Sequence, residues 1–209
     1  MRQFRLMCKK WFLWALIFLA SGCASSVSVK EDKFYPLSVN APSPLASPFP
    51  VEAVIAVERF LSEAIYEERP IVYSMAQRPH ELLQYHYYQW TEGLPSLVQT
   101  RLIDYLRKTN LTTFTVHEGY SSYPDYVISG QIKRFVYVVS GDSGRVEVAL
   151  ALQVQDKGKL IFLKDYQESV DITQAGVHNA AEGFGMALSK VFAAFVQDMA
   201  LVVQAGKLK

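Results

Sequence analysis

The chain has 209 residues, half of them apolar and 13% aromatic, with 21 basic and 20 acidic side chains. Such a composition suits a folded globule with its own core and excludes a disordered adaptor. Four of the 21 basic residues and none of the 20 acidic ones precede Cys23, so the remainder holds 17 basic against 20 acidic. It lacks the Lys and Arg surplus that neutralises a phosphate backbone, which excludes nucleic acid as a partner.

Chain order begins with Met1–Cys23. Arg2, Arg5, Lys9 and Lys10 lead into an unbroken apolar run, Trp11–Ala20, and then Ser21-Gly22-Cys23. This is the three-part layout of a secretory signal. A membrane-spanning helix needs ~20 apolar residues, and this run is about half that. Ala20-Ser21-Gly22-Cys23 resembles the lipobox of bacterial lipoproteins, with Ala20 where Leu is usual. The resemblance implies that residues 1–22 are a signal peptide and that Cys23 is the lipid attachment site. Each buried CH₂ contributes ~0.8 kcal/mol and two acyl chains suffice for a stable anchor. Cys8 is the other cysteine. With Cys8 removed and Cys23 acylated, no thiol remains for a disulfide, a Cys–zinc site or a nucleophile.

Residues 23–50 read as a lipidated tether followed by a Pro/Ser-rich arm. Ala24–Asp32 is short and polar, Phe34-Tyr35-Pro36-Leu37 has strand character, and Pro42, Pro44, Pro48 and Pro50 enforce extended backbone. Residues 51–209 are expected to form a single α+β domain. Ala53–Phe60, Ile71–Ala76, Leu82–Trp90 and Phe114–Val116 carry the apolar and β-branched content of strands. Between them Pro95 opens a helix with an apolar stripe at Leu94, Val98, Leu102 and Tyr105, and Asn110 stops it.

The second half spells a three-stranded antiparallel meander. Tyr126, Ile128, Ile132, Val136 and Val138 are expected on one apolar face. Val146, Val148, Leu150, Leu152 and Val154 follow with strict alternation, then Leu160, Phe162, Tyr166, Val170 and Ile172. Ser140–Gly144 and Asp156–Lys159 supply the turns. A long helix closes the chain, with Asn179 and Glu182 as a capping box and a stripe at Phe184, Leu188, Val191, Phe195, Met199 and Val202. Gly183 and Gly185 are expected to weaken its first turn, and Gly206 to end it. The predicted architecture is α+β, an antiparallel sheet with two helices packed on one face.

Gly141-Asp142-Ser143-Gly144 matches the string around the nucleophile of chymotrypsin-like proteases, but it continues Arg145-Val146 and sits between two alternating runs, where it spells a hairpin turn. His80, His86, His117 and His178 have no metal-ligand spacing. Gly183-Phe184-Gly185 follows no βαβ pattern, so a dinucleotide cofactor is not expected. Glu63, Glu67 and Glu68 read as a solvated face. No nucleophile, base and oxyanion donor converge, and the chain is expected to have no catalytic residue, cofactor or metal. Within Tyr85, Tyr87, Tyr88 and Trp90, alternation pairs Tyr88 with Trp90 and Tyr85 with Tyr87. Trp90 is expected in the core, and Tyr85 and Tyr87 are the candidate partner-binding residues.

The order of these motifs carries a family resemblance. After the lipobox come Phe34-Tyr35-Pro36-Leu37, Arg69-Pro70-Ile71-Val72-Tyr73-Ser74, and Tyr85 and Trp90 ahead of Leu94-Pro95, then a helix ending Leu106-Arg107. Asp125–Gly130, the meander and the C-terminal helix complete it. The whole resembles the ABC-type transport auxiliary lipoprotein family, which includes the paraquat-inducible PqiC group. That resemblance implies a non-catalytic lipoprotein of the outer membrane that faces the periplasm. The implied partners are an MCE-type periplasmic protein and an ABC permease and ATPase, which together move lipids or hydrophobic compounds. Ala24 after the cysteine, rather than Asp, fits sorting to the outer membrane. The alternative is an outer-membrane assembly or structural lipoprotein that docks on a β-barrel and has no transport role. An exposed apolar edge of the meander would support a homo-oligomer.

Overall fold

The computed structural model describes residues 30–45, 51–121 and 123–204. The expected signal peptide, Cys23 and the Gly206 stop lie outside the described residues. Asp32–Lys209 form one compact unit. Its strands are β1 (Lys33–Tyr35), β2 (Val51–Val57), β3 (Leu61–Ser62), β4 (Pro70–Met75), β5 (Arg78–Trp90), β6 (Thr112–His117), β7 (Tyr126–Ser140), β8 (Ser143–Asp156) and β9 (Lys159–Ile172). Its helices are α1 (Ala64–Glu67), α2 (Leu94–Thr109) and α3 (Val177–Gln204).

β7 is the spine of the sheet. One edge pairs antiparallel with β8 from Tyr126 opposite Asp156 to Ser140 opposite Ser143. The other edge takes three shorter strands in succession, all parallel: β2 at Tyr126–Ile128, β3 at Gln131–Ile132 and β4 at Tyr137–Val139. β8 continues antiparallel into β9, and β4 into β5. β6 adds parallel to β2, and β1 parallel to β5. The class is α+β as expected, but the sheet is mixed. Alternation of side chains marks a strand without marking its direction. The parallel neighbours are reached by crossovers, such as the long return through α2 that brings β6 beside β2.

Local chemistry sets most element ends. In α2, Pro95 occupies the first turn, Asn110 closes the helix at φ 59°, and Arg107 and Lys108 lie in the last turn, where cations complement the helix dipole. Leu94, Val98, Leu102 and Tyr105 are buried. Asp156 pairs with Lys159 across Lys157 (φ 47°) and Gly158 (φ 80°), the two left-handed residues of a tight hairpin. Along α3, Phe184, Leu188, Val191, Phe195 and Met199 are fully buried against β8 and β9.

Three expectations are corrected. First, Lys133 is an extra residue in β7: Ile132 lies opposite Leu150, and Arg134, not Lys133, lies opposite Ala149. This bulge reverses the alternation. Phe135 and Tyr137 therefore face Val148 and Val146 under the helices, while Val136 and Val138 turn to the face of Glu147 and Arg145. Val136 stays buried there, on the face that carries Tyr66 of α1 within reach of Arg134 and Glu147. A second bulge at Ile161 places Leu160 opposite Gln155 and leaves it half exposed.

Secondly, α3 begins at Val177, so Asn179 lies inside its first turn rather than at a cap, and its amide donates to the Gln174 carbonyl at 2.8 Å. Thirdly, Gly183 and Gly185 do not delay the helix. A Cβ on Gly183 would lie 2.6 Å from the Ile172 side chain, and one on Gly185 would overlap the backbone carbonyl of Ser38. Both glycines let other chain segments approach the helix.

The second of those approaches holds the arm. Leu37 is buried in the core, the Asn40 amide donates to the Ser189 hydroxyl at 2.8 Å, and the Leu45 amide donates to the Thr109 carbonyl at 2.8 Å. Residues 36–45 thus cross both long helices in extended form without joining the sheet.

Candidate functional site

The residues singled out for partner contact lie on β5, which is irregular. Pro70 pairs with Gln89 and Val72 with Gln84, so two steps along β4 answer to five along β5. The bulged segment brings Tyr85 to the side of Tyr88, and their rings meet edge-on at 5.5 Å. Tyr85 also stacks on Tyr73 at 4.2 Å, and Tyr88 meets Tyr35 of β1 at 6.2 Å. All four phenols are half-buried. Tyr87 instead packs edge-on against His86 at 4.6 Å. The two candidate tyrosines, expected on one face, are therefore separated by the bulge.

This aromatic ledge is continuous with the core. Tyr73 lies opposite Tyr137 in the β4–β7 ladder, and the Tyr137 hydroxyl accepts from the Gly176 amide ahead of α3 at 3.1 Å. Below it Phe135 stacks on Phe184 at 4.4 Å, and Trp90 meets both rings edge-on at 6.0 and 5.6 Å. Trp90 is 1% exposed, the core position expected for it. Arg69 borders the ledge: its Nε donates to the Trp90 carbonyl at 3.1 Å and its guanidinium lies 4.7 Å over the half-exposed Phe34 ring. The Lys33 ammonium lies 5.7 Å over Tyr88. Burial pushes the Tyr85 hydroxyl up to about 12, with the phenols of Tyr137, Tyr73 and Tyr88 adding to it. The ledge offers ring faces, hydroxyl donors and two flanking cations, a surface for packing and hydrogen bonding rather than bond-breaking.

Tyr35, Tyr73 and Tyr137 were not among the expected site residues. Tyr137 joins the ledge only because of the bulge at Lys133, and no periodicity in the sequence marks that residue. A polar cleft of about 280 Å³ lies on the opposite face, lined by Arg134, Ser143, Arg145, Glu147 and Asp171 among others. Its charges are largely committed. Burial would raise the Glu147 carboxyl, but hydrogen bonds from Arg134 and Arg145 outweigh it and hold the group below its usual range.

Ser143 begins β8 directly after the Gly141-Asp142 turn and donates its hydroxyl to the Ser140 carbonyl at 3.1 Å, as a hairpin residue does. His80 and His86 are exposed on β5, His178 is exposed on α3, and His117 is half-buried. Among the described residues no three His, Cys, Asp or Glu side chains gather at metal-binding range.

The fold places the chain first in a class. It shares the architecture of protein XCC0632 from Xanthomonas campestris, of family DUF330, with a TM-score of 0.73 and 15% identity over 85% of this chain and 99% of that one. A second solved structure, of an uncharacterized protein, matches with a TM-score of 0.61 and 13% identity over 81% of this chain and 99% of that one. At these identities the likeness is one of fold. In sequence, the chain is 26% identical over 103 residues to the uncharacterized protein bll6063 of Bradyrhizobium diazoefficiens. That match spans 49% of this chain and only 28% of the relative's length. No family model matches the sequence.

Proposed function

We propose that this chain is a non-catalytic lipoprotein, anchored through Cys23 in the outer membrane and facing the periplasm. It serves as an auxiliary subunit of an ABC/MCE-type system that carries lipids or hydrophobic compounds across the envelope. The observation that carries the reading is Ala20-Ser21-Gly22-Cys23 at the end of a basic-led apolar run too short to span a bilayer. The fold shared with a DUF330 protein supports it, because it is an α+β body whose cleft around Glu147 is filled with paired charges. The aromatic ledge around Tyr85, with Tyr87 set apart from it by the β5 bulge, is the surface we assign to the MCE-type or permease partner, since tyrosine is enriched where partners dock.

Two measurements test this. Metabolic labelling with palmitate should mark the wild-type chain and not Cys23→Ser, and the labelled protein should fractionate with the outer membrane. Crosslinking in intact cells from photoreactive residues at positions 85 and 87 should recover MCE or permease components. An unlabelled wild-type chain, or crosslinks to a β-barrel alone, would overturn it.

A further inference from the structure

A further concavity lies between the arm and α2. It has a volume of about 360 Å³ and is lined by residues 36–42 and by Arg101, Asp104, Tyr105 and Lys108. The helical residues recur at steps of three, one and three, a single polar stripe on α2 turned to the arm. Tyr105 is buried and packs edge-on against Phe192 at 5.5 Å, so it forms the floor. Leu37, Val39 and Ala41 supply an apolar wall.

Its charges are not balanced. Arg101 gives one terminal nitrogen to Asp104 at a long 3.4 Å, and its Nε is buried with no hydrogen-bond partner among the described residues. Lys108 makes no ion pair with a described residue and is exposed at the rim. A buried guanidinium N–H without an acceptor is costly, because it has lost water and gained nothing. Two cations against the one Asp104 carboxylate leave a net positive charge in a hollow of the size that small ligands occupy.

We infer that this hollow binds a phosphate group, with Arg101 and Lys108 as its two ligands and the Val39–Ala41 wall receiving the carbon chain attached to it. Arginine suits the role because its fork of donors matches an oxyanion, and Lys108 adds a point charge from the rim. The phosphate comes either from a lipid headgroup or from a free anion, and the two differ in whether the apolar wall contributes. The inference does not rest on the transport reading: a chain that fails to be labelled or to crosslink would keep this hollow.

The test is calorimetric titration of the full chain in dodecyl maltoside micelles, blanked against micelles alone, with inorganic phosphate and with dihexanoyl phosphatidic acid. Saturable one-to-one binding is expected, weakening as salt is added. Tighter binding of the lipid assigns the site to a headgroup, and equal binding assigns it to a free anion. Lys108→Gln, at an exposed position that leaves the fold intact, should weaken binding about tenfold, and Arg101→Gln by more. Absence of saturable heat with both probes, or wild-type affinity in Lys108→Gln, would overturn the inference.

Discussion

Gly185 of α3 lies directly beneath the backbone carbonyl of Ser38, so close that a single methyl at position 185 would overlap the arm. This contact, with the hydrogen bond from Asn40 to Ser189 one helical turn on, turns a Pro-rich stretch into part of the fold. Gly185→Ala should therefore act as overpacking and cost about 1–3 kcal/mol, despite alanine's higher helix propensity. A domain of this size would lose roughly 2–4 °C in Tm for each kcal/mol. Limited proteolysis provides the second readout: cleavage within residues 36–45 should accelerate in the variant and not in the wild type. Unchanged Tm and cleavage would show that the arm does not depend on this contact.

Trp90 is the sole tryptophan outside Met1–Cys23 and is enclosed by Phe135 and Phe184. In a chain lacking residues 1–22 its fluorescence should be blue-shifted and resistant to aqueous quenchers. Trp90→Ala should destabilise by about 3–5 kcal/mol through the cavity it leaves, while Trp90→Phe should cost much less. Both follow from urea unfolding curves.

Glu147 accepts from Arg134 and, at 2.7 Å, from Arg145, and its carboxyl is held below the usual value of 4.5 in spite of burial. A depressed folded-state pKa stabilises the fold above the unfolded value, and that contribution is lost as pH falls through the folded one. Glu147→Gln should thus cost about 1–2 kcal/mol at neutral pH, and the gap from wild type should narrow as pH falls below 4.5. A gap that stays constant down to acid unfolding would refute the charge-based account.

Tyr85 is the converse case. Its hydroxyl is pushed from 10.0 to about 12 by burial and by neighbouring phenols. The raised value means that stability is retained below pH 10 and declines as pH rises from there towards 12. Spectrophotometric titration of the wild type should show a late-ionising tyrosine that is missing from Tyr85→Phe. The variant should also lose less stability over the same alkaline range.

Tyr87 lies apart from the ledge, so the two tyrosines make different predictions for partner contact. If the ledge is the docking surface, Tyr85→Ala should reduce crosslinking to the partner more than Tyr87→Ala does. Equal loss from both would place the interface across β5 rather than on the ledge.

Much of the architecture was legible in the residues themselves, because its signals are local. Pro95 and Asn110 bound α2, Lys157-Gly158 makes a hairpin, and the strict alternation from Val146 to Val154 predicts the buried face of β8. Each of these depends on a dihedral preference or on which neighbours a side chain meets one or two turns away. The strand directions, the one-residue insertions at Lys133 and Ile161, and the role of Gly185 were decided only by tertiary packing. A bulge leaves no mark in composition, yet it exchanges the two faces of everything that follows, which is how Tyr137 reached the aromatic ledge and Val136 left the helix face. The glycines of α3 read as helix weakness in one dimension and as room for a crossing chain in three, because close approach is a property of two segments far apart in sequence.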